Sequence, residues 1–112
     1  MKIRTGFVSN SSSTSFLITN HSNTRRTLVE FINENPQFIK EYIEDYGHYG
    51  KPSQLKLLYS AKERDVEFAS GETKQCIFGD EQGTLIGNVL DYMLRGGGRS
   101  KNFSWEVDEY LR

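Results

Sequence analysis

The strongest candidates for ligand binding are arginine, asparagine and serine residues near the N-terminus. Guanidinium groups, serine hydroxyls and loop amides all suit a phosphate or a carboxylate. A nucleotide or a nucleic acid could bind at such a corner, whereas the simpler interpretation is a solvated loop and first helical turn. The candidate binding residues are Arg4, Asn10, Ser11, Ser12, Ser13, Arg25 and Arg26.

A hydrolase or transferase would need acids and a nucleophile elsewhere in the chain. Asp80 and Glu81 stand in a loop between a predicted strand and a predicted helix, where ligands often collect. Two carboxylates offer fewer oxygens than a divalent cation takes, and acids before a helix also suit its dipole. Cys76 could act with His21 or His48, but a lone cysteine in an apolar strand usually packs as a small hydrophobic residue. We therefore predict no catalytic residue, no metal site and no cofactor.

Three consecutive glycines, Gly96 to Gly98, have the composition of a phosphate-binding loop. Such loops precede a helix, whose N-terminal amides then face the anion, but these glycines follow a predicted helix. The pattern is typical of a left-handed helix end followed by a turn.

Composition favours one cytoplasmic domain that spans residues 1–112. The 112 residues are 36% hydrophobic and 12% aromatic, which is enough for a core. Fourteen basic and fifteen acidic residues give a net charge of −1, without the basic excess typical of nucleic-acid binding. The single cysteine forms no internal disulfide and fits a reducing compartment. No apolar run approaches the roughly 18 residues of a membrane-spanning helix, so we expect neither export nor a membrane partner.

The apolar residues after residue 23 have the spacing of a helix. Apolar residues recur there at intervals of three and four, and Asn35-Pro36 interrupts them, so two short helices are predicted. Residues 54–61 fit either a strand or a helix capped by Ser53, and the alternation of apolar residues favours the strand.

Two hairpins are predicted from runs of β-favouring residues around short polar connections. The first joins Lys2–Val8 to Thr14–Thr19 across residues 9–13, which we call the serine loop. The second joins Asp65–Ala69 to Thr73–Phe78 across a connection that contains a glycine.

The C-terminal third combines the clearest helix with a terminal strand. Thr84 is a good N-cap for an apolar stripe that ends near Arg95. Phe103, Trp105 and Val107 alternate with polar residues, which places them on one face of a strand. We therefore predict an α+β fold, with a small mainly antiparallel sheet and two to three helices packed on one face.

The N-terminal segment resembles a signature that begins many uncharacterised proteins of tailed bacteriophages and bacteria. That signature reads R-x-G-F-V-S-N-S-S-S-S-S-F, and residues 4–16 of this chain read RTGFVSNSSSTSF, with Thr14 where a serine is usual. The likeness covers about the first 18 of the 112 residues. It implies a phage or bacterial origin, and the host cytoplasm as the compartment if a phage encodes the chain, but it implies no activity.

The function expected from these features is the binding of a protein partner by a small phage-type or bacterial accessory protein. A near-neutral, aromatic-rich domain without a catalytic pattern suits an interface better than chemistry. The alternatives are a nucleotide or nucleic-acid binder that uses the serine loop and basic corner, and a small hydrolase or transferase that uses the loop of Asp80 and Glu81. A homodimer stays open, because an edge strand that bears Phe103 and Trp105 could pair with its copy.

Overall fold

The elements of the fold run from a strand near the N-terminus to a strand near the C-terminus. A computed structural model describes residues 13–46, 53–79 and 84–111, without the side chains of residues 45, 46 and 111. The described elements are, in order, β1 (Ser13–Asn20), β2 (Arg26–Thr27), α1 (Leu28–Asn33), α2 (Gln37–Tyr46), α3 (Gln54–Arg64), β3 (Glu67–Phe68), β4 (Thr73–Gly79), α4 (Leu85–Met93), β5 (Gly98–Arg99) and β6 (Phe103–Leu111).

Strand β1 lies inside a four-stranded antiparallel sheet with the order β4-β1-β6-β5. It pairs with β4 from Ser13 to Thr19 and with β6 from Ser13 to Asn20, with a bulge opposite Ser15 and Phe16. Strands from later in the chain therefore occupy both edges of β1. The short strands β2 and β3 form a separate two-stranded ladder.

The core lies between one face of this sheet and the helices. Phe16 and Ile18 of β1 are fully buried, and Phe31 of α1 packs edge-on against Phe103 and Trp105 with ring-centroid distances of 5.1 and 5.3 Å. Such aromatic contacts contribute about 0.5 to 1.5 kcal/mol each beyond the area they bury. The predicted α+β architecture is confirmed, with four helices in the described residues.

The break at Asn35-Pro36 separates α1 from α2 as predicted. Helix α1 begins with a capping box, in which the Thr27 hydroxyl accepts from the Glu30 amide at 3.2 Å and the Glu30 carboxylate accepts from the Thr27 amide at 3.3 Å. The Asn35 side chain donates to the Phe31 carbonyl at 2.9 Å, which satisfies one of the open carbonyls at the helix end.

The strand predicted for residues 54–61 is wrong, because this stretch belongs to helix α3. The Ser53 hydroxyl caps the helix by accepting from the Lys56 amide at 3.2 Å. Leu57 and Ala61, one turn apart, are buried against the core. The apolar alternation arises because large apolar side chains also occupy the solvent face of this helix.

The predicted hairpin between residues 65–69 and 73–78 is also wrong. Strand β3 pairs with β2 and strand β4 pairs with β1, so they belong to different sheets. The connection between them closes onto the end of β1, where the Gly71 amide donates to the Asn20 carbonyl and the Asn20 amide donates to the Glu72 carbonyl, both at 2.9 Å.

The hairpin predicted at the N-terminus is wrong as well, because β4 and β6 pair with both edges of β1, its second arm. Its first arm, Lys2–Val8, lies outside the described residues. The helix and the strand predicted in the C-terminal third are confirmed. The helix predicted from Thr84 is α4, with the Thr84 hydroxyl accepting from the Gly87 amide at 3.1 Å. The terminal strand is β6.

The glycine run after α4 is part of the fold, as its position after a helix indicates. Gly97 has a φ of 69°, and its amide donates to the Leu94 carbonyl at 3.0 Å. A Cβ on Gly98 would lie 2.7 Å from the Trp105 indole ring, so the backbone of β5 packs directly on that ring.

Asn20 is a buried hydrogen-bonding centre at the end of β1. Its side-chain amide donates to the carbonyls of Thr24, Phe68 and Ala69 at 2.9, 3.1 and 3.2 Å. Its side-chain oxygen, Oδ1, accepts from the backbone amide and the hydroxyl of Ser22 at 2.9 and 2.7 Å. One side chain thus joins β1 to the loops before β2 and after β3.

We expect Asn20→Ala to lower the free energy of unfolding by about 2 to 4 kcal/mol, because several buried groups lose their partner at once. Urea denaturation followed by circular dichroism measures the change, with Asn23→Ala in the same loop as the exposed control. A loss no larger than that of the control would contradict this role.

Glu34, at the end of α1, holds the loop that precedes β6. Its carboxylate accepts from the Asn102 backbone and side-chain amides, both at 2.9 Å, and from the Ser100 hydroxyl. Burial raises the pKa of Glu34, but these hydrogen bonds and the charge of Arg26 outweigh it, so its pKa lies below the usual value.

A carboxyl group whose pKa falls on folding stabilises the protein above its unfolded pKa of about 4.3, and this stability is lost as the pH falls through the lower folded pKa. We expect Glu34→Gln to cost about 1 to 2 kcal/mol of unfolding free energy at pH 7. The difference from the original protein should shrink below about pH 4. Urea titrations at several pH values test this, with the exposed Glu63→Gln as control, and a difference that does not change with pH would contradict it.

Candidate interaction surface

The three predicted binding residues within the described ranges lie at opposite ends of β1. Ser13 opens β1, whereas Arg25 and Arg26 follow its other end, and the eight residues of this strand span roughly 23 Å. A single small anion therefore does not reach both. The residues that lie outside the described ranges are Arg4, Asn10, Ser11 and Ser12.

Both arginines already have carboxylate partners. Arg25 Nη1 lies 3.0 Å from Glu67 Oε1, and Arg26 Nη1 lies 3.1 Å from Glu30 Oε2. Arg26 Nε also donates to the Ser22 hydroxyl at 3.0 Å. Exposed ion pairs of this kind contribute little stability, but they reduce the positive charge that a phosphate would meet.

The last residues of the segment that resembles the phage-type signature belong to the core of the sheet. Residues 13–16 start β1, and the Phe16 side chain at the end of the signature is fully buried. The Thr14 hydroxyl donates to Asp91 Oδ1 of α4 at 2.7 Å. This end of the signature therefore has a structural role.

Asp91 is a fully buried carboxylate, and its partners also indicate a structural role. Arg95 Nη2 donates to both carboxylate oxygens at 3.2 Å, while the Thr14 hydroxyl contacts one of them. The Arg95 guanidinium stacks over the rings of Tyr92 and Tyr110, 4.7 and 5.8 Å from their centroids. A buried charge held by a cation and a hydroxyl anchors α4 to the sheet.

Cys76 does not have the environment of a nucleophile. The thiol is buried and donates to the Lys74 carbonyl at 3.9 Å. Burial raises its pKa to about 11, although the positive charges of Arg64 and Lys74 act in the opposite direction. Little thiolate is therefore present near neutral pH.

The other residues of the hydrolase hypothesis give it no further support. Asp80, Glu81 and His48 lie outside the described ranges, and His21 Nε2 lies 2.6 Å from the Ser104 hydroxyl on the surface. Within residues 13–46, 53–79 and 84–111, no group of three or more histidines, cysteines or acids could hold a metal ion.

The solvent face of α3 carries the most exposed large apolar side chains of the described residues. Leu55 and Tyr59 lie one helical turn apart, and each is 67% exposed. We call this pair the α3 ridge. Such exposure on neighbouring residues is typical of an interaction surface, since scattered single apolar residues are normal but contiguous ones are uncommon.

Grooves lie on both sides of the α3 ridge. One, of about 220 Å³, is lined by the ridge with Leu58 and Lys62 of the same helix and Val29 of α1. The other, of about 440 Å³, separates α3 from the start of α4. Its lining residues are Lys56, Tyr59, Ser60, Glu63, Thr84 and Leu85.

The inner side of α3 holds this surface rigidly in place. The Ser60 hydroxyl accepts from the Ile86 amide at 3.0 Å, which ties α3 to the first turn of α4. The Arg64 guanidinium packs 4.9 Å from the Phe78 ring centroid and donates to the Ile77 carbonyl. The ridge is therefore presented by a helix that is anchored at several points, which lowers the entropy cost of binding.

Sequence reasoning missed this surface because it assigned these residues to a strand. The signal that could have found it is the pair of four-residue spacings, Leu57 with Ala61 and Leu55 with Tyr59, after the N-cap Ser53. Two apolar stripes on one capped helix indicate one stripe for the core and one for another contact.

We expect Cys76 to react with a thiol reagent at least about a hundredfold more slowly in the folded protein than in urea at pH 8, because it is buried and poorly ionised. The rate of colour development with an aromatic disulfide reagent measures this. A folded-state rate equal to that of free cysteine would reopen the nucleophile hypothesis.

None of the helices in the described ranges is long and apolar enough to cross a membrane. No protein-family model, no curated protein and no solved structure matches this chain.

Proposed function

We propose that this chain is a small accessory protein of phage or bacterial type that acts by binding a protein partner through the α3 ridge. The observation that carries the proposal is the exposure of Leu55 and Tyr59, at 67% each, one turn apart on helix α3. The resemblance of residues 4–16 supports the phage or bacterial origin.

The chemistry of the ridge suits a protein contact. Burial of a leucine-sized apolar side chain at an interface contributes about 1.5 to 3 kcal/mol before the costs of association. A tyrosine adds a rigid aromatic body with a polar tip, and aromatic anchors dominate the energy of many interfaces. The grooves on either side of Tyr59 can accept side chains from the partner.

The shape and charge of the surface favour an amphipathic helix as the bound element. The ridge and the groove beside Val29 run along α3, and a helix laid there would place its own apolar stripe against them. Lys62 is the only charged residue lining that groove, and among the described residues it makes no ion pair. An acidic residue on the bound helix would pair with it.

The nucleic-acid alternative has less support. Its arginines are paired with Glu67 and Glu30, and they lie far from Ser13 along β1. A nucleic-acid interface predicts an affinity that falls steeply as the salt concentration rises. Apolar burial at the α3 ridge predicts only a weak dependence on salt.

We expect Leu55→Ser combined with Tyr59→Ser to remove a stoichiometric protein partner that the original chain retains after nuclease treatment. The tagged proteins are purified from the native host or infected cells, and Ile43→Ser serves as control because Ile43 is an exposed apolar residue on α2. Circular dichroism and urea midpoints confirm that both variants fold.

The contact is then measured directly with the partner segment that binds. We expect the double variant to weaken the dissociation constant at least about a hundredfold, the sum of two truncated anchors of about 1.5 kcal/mol each. We expect Lys62→Glu to weaken it by about tenfold. Full retention of the partner by the double variant, or release by nuclease alone, would overturn the proposal.

A further inference from the structure

A second surface lies on the sheet, where β6 is longer than its outer neighbour. Strand β5 pairs with β6 only at Gly98 with Trp105 and at Arg99 with Ser104. From Glu106 to Glu109 the edge of β6 that faces away from β1 has no partner strand in the described ranges. An unpaired edge presents a row of backbone donors and acceptors that can bind another extended chain.

The side chains beside this edge are acidic. Glu106, Asp108 and Glu109 are all exposed, and none forms an ion pair with a described lysine or arginine. The register places Glu109 opposite Ser15, and the Ser15 hydroxyl donates to Asp108 Oδ2 at 3.0 Å.

The bulge in β6 accounts for this arrangement. Ser15 pairs with Glu109 and Phe16 pairs with Val107, so Asp108 is the extra residue. Glu106 lies opposite Leu17 on the same face. Three carboxylates therefore share the face of the sheet that points away from the helices.

We propose that this edge binds an extended basic segment of a protein partner as an added strand. Backbone hydrogen bonds to residues 106–109 supply affinity, and lysines or arginines at alternate positions of the segment face the carboxylates of Glu106 and Glu109, which the bulge places at successive outward positions. The negative charge of the side chains beside this edge is the observation that selects a basic segment.

A second copy of the chain fits this edge poorly. In an antiparallel pair of two β6 strands, the carboxylates of one copy would face those of the other, and like charges directly opposite each other are destabilising. The acidic row thus opposes self-pairing and favours a partner of the opposite charge. The site is independent of the α3 ridge, which lies on the helix side of the molecule.

The test uses the full chain and a peptide of alternating lysine and valine with nine residues, the length of β6 itself. Two peptides control for charge and for strand formation. One replaces every lysine by glutamate, and the other keeps the charge but has prolines in place of the valines, since proline cannot join the ladder.

Fluorescence anisotropy gives the dissociation constant of each peptide. We expect that of the lysine–valine peptide to be at least about tenfold lower than those of both controls at low salt. Backbone amide shifts on binding should concentrate at residues 106–110. Glu106→Lys combined with Glu109→Lys should weaken binding at least about tenfold, whereas Glu41→Lys combined with Glu63→Lys, with the same change in net charge on α2 and α3, should change it less than about twofold.

Each contrary result has a definite meaning. Equal binding of the proline peptide would show a purely electrostatic contact and overturn the added strand, and so would shifts spread over other elements. Absence of binding by the folded protein would also overturn the proposal, because the carboxylates would then only prevent other strands from pairing with this edge. Retained binding by the Leu55→Ser, Tyr59→Ser variant separates this proposal from the one on the α3 ridge.

Discussion

The pairing of β1 on both edges is the constraint on which the rest of the structure depends. The strand is polar at five of its eight positions, yet none of its residues is exposed, so its polar side chains need partners inside the protein. Thr14 finds Asp91 of α4, Ser15 finds Asp108 of β6, and Asn20 holds the loops on either side of the small β2–β3 ladder. One strand thereby sets the position of the last helix, the last strand and the turn before β4.

Each proposed surface lies on an element that contacts the rest of the protein on one side and leaves its other side exposed. Helix α3 has one apolar stripe for the core, through Leu57 and Ala61, and a second that points to solvent at Leu55 and Tyr59. Strand β6 continues beyond the two residues of β5 and leaves an edge beside exposed carboxylates. The surfaces differ in chemistry, one apolar with a lysine and the other acidic, so they suit different partners.

Local signals made part of the fold predictable. Asn35-Pro36 separated two helices, and Thr84 capped α4, because caps and prolines act on atoms only a few residues away. Residues 54–61 were assigned wrongly, since a helix with apolar side chains on two faces also produces the alternation of a strand. The hairpin predicted after residue 65 failed because β1 attracts β4 as a sheet partner and leaves β3 to pair with β2.

The sequence by itself determined the α+β class, the division of α1 from α2, the presence of the last helix and the last strand, and the lack of an excess of basic residues. Only the tertiary structure decided which strands pair, which carboxylates neutralise Arg25 and Arg26, and which apolar residues stay in solvent. Glu67 lies 42 positions after Arg25 in the chain, and Leu55 is exposed only because Leu57 faces the core. Capping and periodicity are short-range properties of the chain, whereas pairing and exposure depend on how distant segments pack.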